Sequence, residues 1–196
     1  MKLVAGLGNP GDRYRGTRHN VGWEVLAELA RRHAPDAKPE TQFEGETVRL
    51  PTGGTVGDEP ALLLSPLTYM NLSGRSVAAA CRFHKLGPTS ALVICDDINL
   101  PVGKLRMRTK GSHGGQNGLR DVIEKLGTQE FPRLRVGVGR PPGRMDAATW
   151  VLARLDGSDR TEIDLAVQDA ADAVETWLRD GPDAAMNEAN APPPDT

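Results

Sequence analysis

The chain is poor in cysteine: Cys81 and Cys95 are the only two, and they form no C-x-x-C pair. That excludes a disulfide framework and leaves two buried thiols in a reducing compartment as the reading. Aromatic residues make up 4 % of the sequence, too few for a nucleic-acid surface built on stacked bases. No run of about 18 apolar residues occurs, so no membrane-spanning helix and no membrane partner are expected. The first residues enter a strand pattern without the shape of a signal peptide, and a cytoplasmic location is expected. The chain also lacks clustered His, Cys and Asp at metal-ligand spacing, and it lacks a G-x-S-x-G nucleophile turn. Neither a metal nor a cofactor is expected.

What is present supports one folded domain. Apolar residues are 38 % of 196, enough to build a core. The net charge of −2 hides an uneven distribution. Between Lys104 and Arg144 there are ten basic residues against Asp121, Glu124 and Glu130, whereas from Asp156 onward only Arg160 and Arg179 oppose many acids. The basic segment reads either as a confined phosphate-binding face or as a merely solvated stretch.

Apolar periodicity places strands over residues 3–7, 43–50, 61–64 and 91–97. Helices are expected over 21–33, with Asn20 as cap, and over 74–86, 118–126 and 159–179. In "GKLRMRT", alternation puts Lys104, Arg106 and Arg108 on one strand face and Leu105 and Met107 on the other. "RLRVGVG" is a further strand with alternating basic residues. Strands interleaved with helices indicate an α/β fold, a single domain over 1–180. The segment 181–196, "GPDAAMNEANAPPPDT", has little to bury and is expected to be a flexible acidic, proline-rich tail.

Gly6, Gly8 and Gly11 have the G-x-G-x-x-G spacing of a dinucleotide site. The context fails: Pro10 lies inside the loop, no helix opens at Gly11, and the required acid some 20 residues on is replaced by "LAELARR". NAD binding is rejected. The loop instead presents Asn9 after the first strand and leads to His19 just ahead of a helix. A lone histidine at such a place is more often structural than catalytic, so the reading of His19 needs corroboration from other residues. Asp96 closes the strand "ALVICDD", where an acid can orient a histidine or serve merely as a turn residue. Asn9, Asn71 and Asn117 stand at three strand-to-helix transitions, each explicable as a cap or turn residue. Together these residues suggest a polar site that grips a peptide-like carbonyl, with water as nucleophile and His19 as general base.

The segments "GLGNPGDRYRGTRHNVGW", "TYMNLSG", "DDINLPVGKLRMR", "GSHGGQNGLRD" and "FPRLRVGVGRP" occur in that order. Taken together they strongly resemble the bacterial-type peptidyl-tRNA hydrolase family, from about Leu3 to Trp177. The resemblance implies a monomeric α/β protein with a mixed, twisted sheet flanked by helices. It also implies cleavage of the ester joining a peptide to the 3′-terminal ribose of tRNA. By position, His19 matches the catalytic base and Asp96 its partner acid. Asn9 and Asn71 match residues that contact substrate, and Asn117 matches the asparagine that positions water and oxyanion. Tyr14 and Met70 match the lining near the terminal nucleotide. Arg108 and Arg135 match a clamp for the tRNA 5′-phosphate, with Arg106 beside them. Gln116 replaces a usual histidine at the substrate site, Ser65 a lysine and Asn99 an aspartate. Two other readings stay open: a non-catalytic RNA-binding relative, and a specialised hydrolase of another aminoacyl-tRNA ester.

Overall fold

The computed structural model describes residues 1–192. The strands are β1 (Lys2–Gly6), β2 (Glu40–Gln42), β3 (Gly45–Leu50), β4 (Ala61–Pro66), β5 (Ala91–Asp97), β6 (Leu105–Arg108) and β7 (Arg133–Gly137). The helices are α1 (Val21–His33), α2 (Ser73–Phe83), α3 (Asn117–Leu126), α4 (Ala147–Val151), α5 (Gly157–Asp180) and α6 (Pro182–Ala189). Among the described residues the strands form one sheet in the order β2-β3-β4-β1-β5-β7-β6. Its centre, β4-β1-β5-β7, is parallel, and antiparallel strands flank it on both sides.

Parallel strands carry helices on both faces, so their residues are apolar on both sides. The pleat then divides them by parity. Val4, Leu63, Leu92 and Ile94 point into one core with Val25 and Leu29 of α1 and the apolar stripe of α5. Leu3, Ala5, Leu62, Leu64, Val93 and Cys95 point into the other, with α2 and α3. The mixed α/β sandwich expected from the sequence is therefore found.

The glycine loop owes its composition to packing. A Cβ on Gly6 would lie 2.3 Å from the Gly22 carbonyl oxygen, so the first turn of α1 sits directly against the end of β1. Gly11 adopts φ 104°, which lets the chain turn back toward His19.

The structure departs from the sequence reading, or adds to it, in several places. The strand placed over 43–50 is a hairpin: Phe43 and Glu44, at φ 55° and 54°, turn between β2 and β3. The basic residues of β7 do not form a solvent face: the backbone carbonyls of Gly111 and Ser112 lie against them and accept from Arg133 and Arg135, which are 1 % and 9 % exposed. The short α4, with Asp146 accepting from the Thr149 N–H as cap, was not expected at all. Finally, the segment after Gly181 is not wholly a free tail. Residues Pro182–Ala189 form α6, which buries Ala185 and Ala189 against the α5 side of the sheet. Asn190 then exchanges two hydrogen bonds with the backbone of Met107, giving edge strand β6 a partner. Residues 193–196 of that expected tail lie outside the described residues.

Candidate active site

The loops after β4, β1 and β5 leave adjacent carboxyl ends of the sheet, where α/β proteins place their ligands. They converge on a cavity of about 470 Å³. Asn9, Tyr14, His19, Met70, Asn71, Asp96, Gln116 and Asn117, all singled out from the sequence, line it.

His19 Nδ1 lies 2.9 Å from Asp96 Oδ1. The side chains are 12 % and 3 % exposed, so the bond is largely shielded from water. With the Asp96 carboxylate accepting, Nδ1 carries the hydrogen and Nε2 presents its lone pair to the cavity. Asp96 Oδ1 accepts a second bond, from Gln116 Nε2 at 3.0 Å. Gln116 Oε1 in turn accepts from the Leu119 N–H at 2.7 Å and caps α3.

Asn9 is fixed from three directions. Its side-chain Oδ1 accepts from the Met70 N–H at 2.7 Å. Its backbone N–H donates to Asn20 Oδ1 at 2.9 Å, and its carbonyl accepts from Asn20 Nδ2 at 3.0 Å. Because the Met70 N–H can only donate, the Asn9 amide is oriented, and Nδ2 is the end left for the cavity. Asn20 was expected as a helix cap, but it makes no side-chain cap bond and holds the loop instead. Asn71 and Asn117 are exposed at the cavity's rim, Asn117 as the first residue of α3.

Another wall is α4, whose Ala147, Ala148 and Val151 line the cavity together with Leu152 just after it. Trp150 anchors it by donating from Nε1 to the Gly139 carbonyl at 2.8 Å. The buried Arg18 guanidinium stacks 3.6 Å over the Trp150 ring and bonds Asp159 of α5. Tyr69, Arg120 and the α4 residues are lining that the sequence reading missed; the five-residue α4 is too short to show a period.

Arg106, Arg108 and Arg135 do not reach this cavity. They line a neighbouring one of about 300 Å³, with Asn99, Lys110 and Arg133, and Asp97 and Gly114 border both. The five cations there face a single acid. Arg106 and Arg108 project from β6 into solvent. Arg135 is held 3.0 Å from Asp97 and bonds the Ser112 carbonyl. Arg133 bonds only the carbonyls of Phe131, Gly111 and Gln129, and burial, helped by neighbouring Arg135, pulls its pKa down to about 10. Neither cysteine is an activated nucleophile: burial pushes the Cys95 thiol up to about 12 and that of Cys81 up to about 11.

A three-layer α/β protein with a shielded His–Asp pair, oriented amides and a cationic annex at the carboxyl edge of its strands has the construction of a hydrolase. Comparison with known proteins gives the particular family. The model of the family described as peptidyl-tRNA hydrolase matches residues 3–195. The peptidyl-tRNA hydrolase of Symbiobacterium thermophilum is 50 % identical over 189 residues, covering 96 % of this chain and 98 % of that protein. That of Rhodopirellula baltica is 46 % identical over 191 residues, covering 97 % and 98 %. The crystal structure of peptidyl-tRNA hydrolase from Acinetobacter baumannii superposes with a TM-score of 0.89 at 33 % identity, covering 100 % of this chain and 97 % of that one. The chain belongs to the peptidyl-tRNA hydrolase family and is an enzyme. Among its described residues no helix is long and apolar enough to cross a membrane.

Proposed function

We propose that the protein hydrolyses the ester between the C-terminal carboxyl of a peptide and the 3′-terminal ribose of tRNA, as a cytoplasmic monomer. The observation that carries this reading is His19 Nε2, freed by the Asp96 bond, in a cavity ringed by Asn9, Asn71 and Asn117. In this reading Nε2 removes a proton from water as the water oxygen bonds to the ester carbonyl carbon. Asp96 stabilises the imidazolium so formed. The carbonyl electrons move onto oxygen, and the Nδ2 groups of Asn117 and Asn9 donate to that oxyanion. Collapse breaks the bond to the ribose oxygen, which takes the proton back from His19. Free tRNA and the peptide's carboxylic acid leave. Asn71, at the rim, is placed to pair with the backbone amides of the peptide, while Tyr14 and Met70 bound the side of the terminal nucleotide.

The test is acyl release from N-acetyl-aminoacyl-tRNA and from unblocked aminoacyl-tRNA, each with and without EDTA. Cleavage of the blocked ester alone, unchanged by EDTA, is the expected result. Cleavage of both esters would instead favour the specialised relative, and binding without cleavage a scaffold.

The cationic annex supports docking of a tRNA phosphate, with two kinds of arginine. Arg108→Ala removes an exposed cation, so tRNA binding weakens and the slope of log K against log salt falls by about 0.7 to 0.9. Arg135→Ala also strands the buried Asp97 carboxylate, a change of a kind that costs about 3–5 kcal/mol, so its melting temperature falls as well. Salt titrations with parallel thermal melts separate the two; an unchanged slope for Arg108→Ala removes it from the clamp.

A further inference from the structure

Two donors meet on one oxygen of Asp96: His19 Nδ1 at 2.9 Å and Gln116 Nε2 at 3.0 Å. The Gln116 amide cannot be turned round, because its Oε1 accepts from the Leu119 N–H, a group without acceptor capacity. Its Nε2 also touches Met70 Sδ at 3.2 Å, a weak acceptor, so the amide is held on every side. The Leu119 N–H belongs to the first turn of α3, whose amides have no partner within the helix. An unbroken chain of bonds thus runs from the end of α3 through Gln116 and Asp96 to His19. Asp96 is 2 % and Gln116 8 % exposed, so water does not compete for it.

We infer that Gln116 is a positioning residue for the general base, holding the Asp96 carboxylate in its orientation toward His19 through a donor that does not titrate. Gln116 lies on the cavity wall, yet both ends of its amide are engaged by the protein. It therefore acts on the substrate through His19. This rests on the reading of His19 as the base. A titratable group in the same place would tie the orientation of Asp96 to pH. Glutamine removes that dependence.

The discriminating variant is Gln116→Glu, which has the same length and still accepts from the Leu119 N–H. When protonated, the new side chain donates to Asp96 as the amide does. When ionised, it sets one carboxylate against another, and like charges that close drive them apart. The other groups facing the pair are His19 from the turn before α1, Asp97 with Arg135 from β5 and β7, Arg120 from α3, and Tyr14. All are unaltered in the variant and act equally on both profiles.

The parent supplies the reference profile, its amide keeping the same donor to Asp96 at every pH. Gln116→Glu is expected to come nearest the parent at the acid end and to gain a falling alkaline limb. There its kcat drops at least about tenfold, the scale of a lost charge-assisted bond, with KM little changed. Gln116→Leu, with neither donor nor charge, is expected to lower kcat roughly tenfold across the range without a new limb. Thermal melts at each pH show that the variants remain folded where rates are compared. Superimposable normalised profiles for the parent and Gln116→Glu overturn the proposal. So does a Gln116→Leu enzyme with parental kcat, which decides the matter if the glutamate variant does not fold. A change confined to KM would make Gln116 a substrate contact instead. Full turnover in His19→Ala would remove the general-base reading itself, an outcome distinct from all of these.

Discussion

His19→Ala is expected to lower kcat on N-acetyl-aminoacyl-tRNA by about 10³-fold, the middle of the range for removing a general base. Affinity for tRNA should stay within about twofold if, as proposed, phosphate docking falls to the cations of the neighbouring cavity. The expectation rests on two cavities that share a border at Asp97 and Gly114. One holds the His19–Asp96 pair and the oriented amides, the other five cations. Single-turnover rates and a binding titration on the same preparation make the check. Turnover equal to the parent's would end the proposed mechanism; joint loss of binding and turnover would mean the two cavities are not separable.

Asn9→Asp should cost about 10²- to 10³-fold in kcat, the scale of a lost oxyanion donor. The substitution is nearly isosteric. One carboxylate oxygen still accepts from the Met70 N–H, and the backbone bonds to Asn20 are untouched. Only the cavity-facing end changes, from a donor to a charged acceptor that repels the developing oxyanion. The expected signature is a melting temperature close to the parent's beside a kcat that has collapsed. If Asn9→Asp turns over at the parental rate, Nδ2 makes no contact in the transition state.

Much of this site could be read before any fold was known. Asn9 and Asp96 stand at or just past strand ends, His19, Asn71 and Asn117 at or just before helix starts, and the carboxyl ends of adjacent parallel strands converge. Rejecting the dinucleotide reading of the glycine loop needed only the missing helix at Gly11. What the glycines do required coordinates: Gly6 is where α1 presses on β1 through Gly22. Asn20 illustrates the same limit. An amide beside a helix start has two nearby uses, capping and bracing a loop, and the local sequence is the same for both. Arg135 shows another. Alternation assigns a residue to a face of the sheet, yet it does not report how deeply that face is covered.

The α/β class, the single domain, the polar constellation and the basic segment follow from short-range pattern, because period and strand-end chemistry are local properties. Other features depend on residues far apart in the chain meeting in space. They are the pairing of Asp97 with Arg135, the bracing of α4 by Arg18, the folding of α6 onto the sheet and the bond from Gln116 to Asp96. A side-chain amide or guanidinium takes whichever partner the fold brings within about 3 Å, and only packing sets that distance.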